Sequence, residues 1–139
     1  MKKTKCNNYL YFTLYGDYFD TNIITKKLNL KPTDTKTKKD SVPKKTSWEY
    51  KIQVGDNVNL KKPLEILIST FAPLIKDINE LKADLNLKSR LQFVIYIDID
   101  PDASSPFFGF NKNTIDFLHR TGTEVDFDLY KADTIGLLK

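Results

Sequence analysis

Apolar and polar positions alternate along four stretches of the chain. From Tyr9 to Tyr15, Leu10, Phe12 and Leu14 fall on one side and Tyr9, Tyr11, Thr13 and Tyr15 on the other, which is the period of a half-buried strand. Trp48, Tyr50, Ile52 and Val54 alternate in the same way with Glu49, Lys51 and Gln53. Leu91, Phe93, Ile95, Ile97 and Ile99 alternate with Gln92, Val94, Tyr96 and Asp98, and Val125, Phe127 and Leu129 with Glu124, Asp126, Asp128 and Tyr130. Between the second and third of these stretches the period changes. Leu64, Leu67, Ile68, Phe71, Ile75, Ile78 and Leu85 keep one helical stripe, and Pro73 within it predicts a kink or a break into two shorter helices.

Two further helices follow from capping signals. Asp20 is placed to cap a short helix carrying Ile23, Ile24 and Leu28 that stops near Pro32. Asn113 is expected to cap a helix with Ile115, Phe117 and Leu118, closed by Gly122 in a left-handed conformation. Pro101 and Pro106 bound a loop, after which Phe107 to Phe110 has the length of one short strand returning beside the central one. The order is therefore β-α-β, a long helix, then β-β-α-β. Each main strand has one apolar and one polar face, so helices should cover one face only. The expectation is an α+β two-layer sandwich, distantly ferredoxin-like, with a mainly antiparallel sheet of about five strands and helices on one face.

The 139 residues, 40% of them hydrophobic, fit one domain spanning 1–139 with a core of its own. Residues 1–8 and 132–139 are expected to be loosely ordered tails. No apolar run approaches the roughly 20 residues of a membrane span, so no membrane partner is implied. The opening Met1-Lys2-Lys3-Thr4-Lys5-Cys6 meets Asn7 and Asn8 where a signal peptide would turn apolar. The lone Cys6 has no thiol to pair with. Both features predict a cytoplasmic protein.

The net charge of +4 invites a nucleic-acid reading, and its distribution weakens that reading. Residues 26–45 carry eight lysines against Asp34 and Asp40, a net +6, which leaves −2 for the rest. The basic character thus belongs to a long polar loop, 31–46, where Lys36, Lys38, Lys39, Lys44 and Lys45 form a possible electrostatic site. Only Arg90 and Arg120 are arginine, whereas base and phosphate recognition favours the bidentate guanidinium. A solubilising loop is the plainer reading.

Catalytic constellations are missing one by one. Asp98, Asp100 and Asp102 imitate the opening of a calcium loop, but Ala103 and Gly109 stand where Gly and Glu are required. His119 is the only histidine and falls in the last turn of a helix, where its charge suits the helix dipole. The five glycines are too scattered for a phosphate loop. No cofactor and no metal site are read, and no enzyme is expected. What remains is the polar face of the sheet, where Tyr9, Tyr11, Tyr15, Tyr96 and Tyr130 accompany Asp98, Asp126 and Asp128. Tyrosine among carboxylates suits contact with a protein partner. The alternatives are ordinary cross-strand packing of tyrosines, or a carboxylate-based enzyme or cation site that would need a concave pocket around those acids.

The run Tyr11-Phe12-Thr13-Leu14-Tyr15-Gly16-Asp17-Tyr18-Phe19-Asp20, followed by Ile24-Thr25, Leu28, Pro32-Thr33, Ser47-Trp48-Glu49-Tyr50 and Asp126-Phe127-Asp128-Leu129-Tyr130, resembles the bacterial family catalogued as domain of unknown function 4279. The resemblance covers about residues 9–131. Family members often have a glycine before the tryptophan strand, where this chain has Lys39-Asp40. The family brings no activity and no catalytic residues. Each matching residue has a structural role open to it: Gly16-Asp17 a tight bend, Asp20 a cap, Trp48 a core anchor. The functional expectation is a non-catalytic protein-binding domain. By analogy with other small bacterial proteins, its partner could be a cognate toxin and the chain an immunity protein. Oligomeric state is not written in these patterns.

Overall fold

The computed structural model describes residues 3–138. Five strands form one open sheet in the order β2-β3-β1-β4-β5, with β1 Asn8–Gly16, β2 Asp34–Lys36, β3 Thr46–Gly55, β4 Lys88–Asp98 and β5 Glu124–Ala132. β1 runs antiparallel to both neighbours, β3 and β4, and β2 is antiparallel to β3. Only β4 and β5 are parallel, joined through α4 (Lys112–Thr121), because parallel neighbours need a crossover and a helix supplies it. The fold is α+β with the expected layering. A split β-α-β unit of the ferredoxin kind would insert a strand between β1 and β3, and here these two are direct neighbours.

The helices α1 (Thr21–Leu28), α2 (Lys61–Phe71), α3 (Ile75–Leu85) and α4 lay their apolar stripes over β3, β1 and β4. A 3-10 turn, Ala72–Leu74, separates α2 from α3 at Pro73, where the ring removes a backbone donor. Leu10, Phe12, Leu14, Trp48, Leu91 and Phe93 meet Ile24, Leu64, Phe71, Ile78 and Phe117 in the core. Asp20 caps α1, its carboxylate accepting the Asn22 N–H at 3.0 Å. The α4 cap is Asn111 rather than Asn113, with Thr114 N–H donating to its side-chain oxygen at 2.9 Å. An extended residue two positions earlier leaves the first turn free to reach back to it. Gly122 closes α4 with φ 60°. Gly16 serves by close approach: a Cβ there would stand 3.0 Å from Leu87 Cδ2 and 3.3 Å from the Asn86 carbonyl.

The structure departs from the sequence expectations in four further places. The 107–110 stretch is not a strand. Phe107 makes only a single bridge to Asn59, and Phe108 and Phe110 turn their rings onto Phe93 at 5.5 and 6.0 Å, so that ring-on-ring contact takes the place of a backbone ladder. The fifth strand comes instead from the 31–46 stretch: β2, Asp-Thr-Lys, pairs with β3 residues Glu49, Trp48 and Ser47. The expected loose tails, within 3–8 and 132–138, are tied to one another. Thr4 N–H donates to the Asp133 carbonyl at 2.9 Å, Asn8 is fully buried, and the Asp133 carboxylate accepts the Leu137 and Leu138 N–H groups at 2.8 and 2.6 Å. Buried backbone at the sheet end has to find such partners. Residues 1, 2 and 139 of those tails lie outside the described residues. Lastly, Ile97 and Leu129 are exposed although they are on the apolar face, because the helix layer ends at β4.

Candidate functional site

The sheet face away from the helices is set by register. Crossing it from β3 to β1 to β4 to β5, Gln53, Tyr9, Val94 and Asp128 form one row, and Lys51, Tyr11, Gln92 and Asp126 the next. Glu49, Thr13, Arg90 and Glu124 follow, then Ser47, Tyr15 and Lys88. Beyond the first row Tyr96 lies opposite Tyr130. The alternation therefore brings together Tyr9, Tyr11, Tyr15, Tyr96, Tyr130, Asp126 and Asp128, as expected.

This face is less open than its polarity implies. Thr13, Gln92 and Val94 are 1%, 2% and 4% exposed, although they share the polar side of the sheet with Tyr9, Tyr11, Tyr15 and Tyr96. Tyr9 and Tyr11 stack at 6.3 Å and Tyr96 on Tyr130 at 5.2 Å. Lys51 Nζ lies 4.8 Å from the Tyr9 ring centre and the Arg90 guanidinium 4.9 Å from that of Tyr15, each a cation over an aromatic face. Lys51 and Arg90 are site residues that sequence reasoning missed; their signal was position, on the tyrosine side of their strands. Thr13 Oγ1 and Arg90 Nε, on paired residues, are buried without a hydrogen-bond partner.

Burial, with nearby charge, keeps Tyr9 and Tyr11 as phenols. Burial pushes Tyr9 up, helped by Tyr96, Tyr130, Asp128 and Glu49. Tyr11 is raised by burial and then by Glu49, against the opposing charge and hydrogen bond of Arg90. Both rings thus offer an O–H donor and an apolar body at neutral pH. A depression of about 190 Å³ lies between Tyr9, Tyr11, Glu49, Lys51 and β2, below the ~300 Å³ at which ligand pockets begin.

Asp98 is the one acid of the expected set with a different task. At the end of β4 its carboxylate accepts the Asp100 N–H at 3.1 Å and the Thr134 hydroxyl. Its pKa is held below the usual range first by the Thr134 hydroxyl, then, against burial, by the N–H groups of Asp100, Thr134 and Ile99. It ties the C-terminal segment to the sheet. Asp126 and Asp128 are exposed on β5 and belong to no ion pair among the described residues.

The lysines of the 31–46 stretch are divided. Lys36 reaches Glu49 at 3.5 Å and Asp34 at 3.9 Å, while Lys38 pairs with Asp17 and sits 5.0 Å from the Tyr18 ring centre. Lys39, Lys44 and Lys45 line an open depression with Tyr18 and Asp40. The first two therefore tack the loop onto the body, and among the described residues the last three belong to no ion pair. Cys6 has its pKa raised by burial and then by Asp98 and Asp56, which disfavours the thiolate. Among the described residues no three of His, Cys, Asp or Glu are grouped to hold a metal, and no helix is long and apolar enough to cross a membrane.

The model of the family described as domain of unknown function (DUF4279) matches residues 4–132. The chain belongs to that family. No curated protein and no solved structure matches it. Three residues that carried the resemblance have structural uses in the fold: Gly16 under Leu87, Asp20 on the first turn of α1, Trp48 in the core.

Proposed function

We propose that this domain is a non-catalytic protein-binding module that docks its partner on the tyrosine-rich outer sheet face. In its specific form the reading makes it a cytoplasmic bacterial immunity protein and the partner a cognate toxin. The observation that carries it is the ordering of the face. Five tyrosines share it, two pairs are already stacked, and cations brace two of the rings. Rigid amphipathic rings contribute contact area at low entropic cost, which is why tyrosine concentrates at binding hot spots. The adjoining carboxylates Asp126 and Asp128 add a directional charge that steers a basic partner.

Titration calorimetry against the product of a neighbouring toxin-like gene tests the reading. Tyr9→Ala and Tyr130→Ala should each weaken binding at least about tenfold, the loss of one hot-spot side chain. Both variants should keep the circular dichroism spectrum of the parent. A complex indifferent to both substitutions, or no complex with any neighbour product, overturns the proposal.

A further inference from the structure

β5 ends the sheet on one side, and its free edge is long. β5 pairs with β4 on its inner side over Glu124–Ala132, and among the described residues no strand lies beyond it. Ile99 N–H donates to the Ala132 carbonyl, so Ala132 turns its backbone groups toward β4. Backbone direction alternates along a strand, and the N–H and C=O groups of Val125, Phe127, Leu129 and Lys131 therefore point outward. Among the described residues the edge is occupied only just past the end of β5, where Thr4 exchanges hydrogen bonds with Asp133.

The two faces flanking this edge differ in chemistry. On the helix side Phe127, Leu129, Ile97 and Phe108 are 39%, 61%, 44% and 39% exposed, a strip left uncovered where the helix layer stops. On the outer side Glu124, Asp126 and Asp128 are exposed and lie in no ion pair among the described residues. An added strand would lay every second side chain on the apolar strip and the intervening ones against the three acids.

We propose that β5 receives an extended segment of a partner protein in which apolar and basic residues alternate, adding a sixth strand to the sheet. This rests on the protein-binding reading above and names the mode of docking. A second copy of the chain meets like charge in its fullest overlap. The antiparallel register that overlaps all of β5 sets Asp128 opposite Asp128 of the other copy, and a shift centred on Phe127 sets Asp126 opposite Asp128; like charges directly opposite destabilise a pair. A basic segment meets the same acids with the opposite sign.

The probe is a blocked nine-residue peptide of alternating Lys and Val, added to the full ¹⁵N-labelled chain and read by amide shifts and hydrogen exchange. Exchange of the Val125, Phe127, Leu129 and Lys131 amides should slow at least about tenfold, that of Tyr11 should not change, and binding should weaken as salt rises. A Glu-Val peptide should not bind. The double variant Asp126→Lys/Asp128→Lys, whose sites are exposed, should fold normally and exchange the preference of the two peptides. Unchanged exchange at millimolar Lys-Val peptide in low salt overturns the proposal. So does slowed exchange that grows with protein concentration alone, which would assign the edge to a second copy. If a partner's binding falls with Tyr130→Ala but is unaffected by the Lys pair and leaves the β5 amides unprotected, edge docking fails while the protein-binding reading stands. If the peptide protects the edge and every partner ignores the tyrosines, the opposite holds.

Discussion

Trp48→Ala should remove a large share of the stability of this fold. The indole is fully buried, edge-on to Phe71 at 6.2 Å and stacked beside Tyr50 at 6.5 Å, and its N–H donates to the Thr25 hydroxyl at 3.0 Å. The ring therefore joins β3 to α1 and α2. Truncating a buried aromatic costs about 3–5 kcal/mol through lost burial and the cavity left behind, and the lost hydrogen bond is about 1 kcal/mol of such a change. Small domains have about 5–15 kcal/mol in all. Unfolding entropy near 2.1 cal/mol/K per residue gives roughly 0.3 kcal/mol/K for 139 residues, so a loss of about 4 kcal/mol should lower Tm by about 14 °C. Urea melts followed by far-ultraviolet circular dichroism on the parent, Trp48→Phe and Trp48→Ala measure it. The Phe variant keeps most of the packing and loses the donor, so it should fall between, about 1–2 kcal/mol below the parent. Emission from this lone tryptophan should be blue-shifted and poorly quenched by acrylamide in the parent. A cost under about 1 kcal/mol for Trp48→Ala at unchanged m-value, or water-like emission from the folded protein, would refute the register of β3 on which this rests.

Gly16→Ala should destabilise by about 1–3 kcal/mol because the new methyl meets Leu87 Cδ2 and the Asn86 carbonyl; in the Leu87→Ala background its cost should shrink, and a double-mutant cycle in urea that returns simple additivity counts against the contact. Asp20→Ala removes the α1 cap and should cost about 1 kcal/mol, with Asp20→Asn close to the parent. Asp133 is held below its ordinary 3.8 because the Leu138, Leu137 and Gly136 N–H groups outweigh the upward push of burial. A folded pKa below the unfolded one contributes stability that is present above about pH 4 and lost as pH falls through the folded value. The stability gap between the parent and Asp133→Asn should therefore narrow on acidification, and a gap constant from neutral to acid pH in urea melts would contradict that assignment.

The inward and outward faces of β1, β3, β4 and β5 were legible in the chain alone, because burial next to a strand partner demands an apolar side chain at every second residue. Leu10, Phe12, Leu14 and Trp48 could hardly face water together, and Pro73 had to break a helical stripe whatever packed around it. The tyrosines of the candidate site were legible for the same reason. Periodicity is local, however, and states only which face is apolar. That Phe127 and Leu129 lie on an uncovered part of that face follows from how far the helix layer reaches. β2 carries no pattern of its own; Asp34, Thr35 and Lys36 are all exposed, and they form a strand because the edge of β3 offers backbone partners. Thr13 and Gln92 are polar yet buried, Thr13 between Tyr11 and Tyr15 along β1 and Gln92 opposite Tyr11. Strand order and coverage belong to contacts between residues far apart in the chain, and only the folded whole decides them.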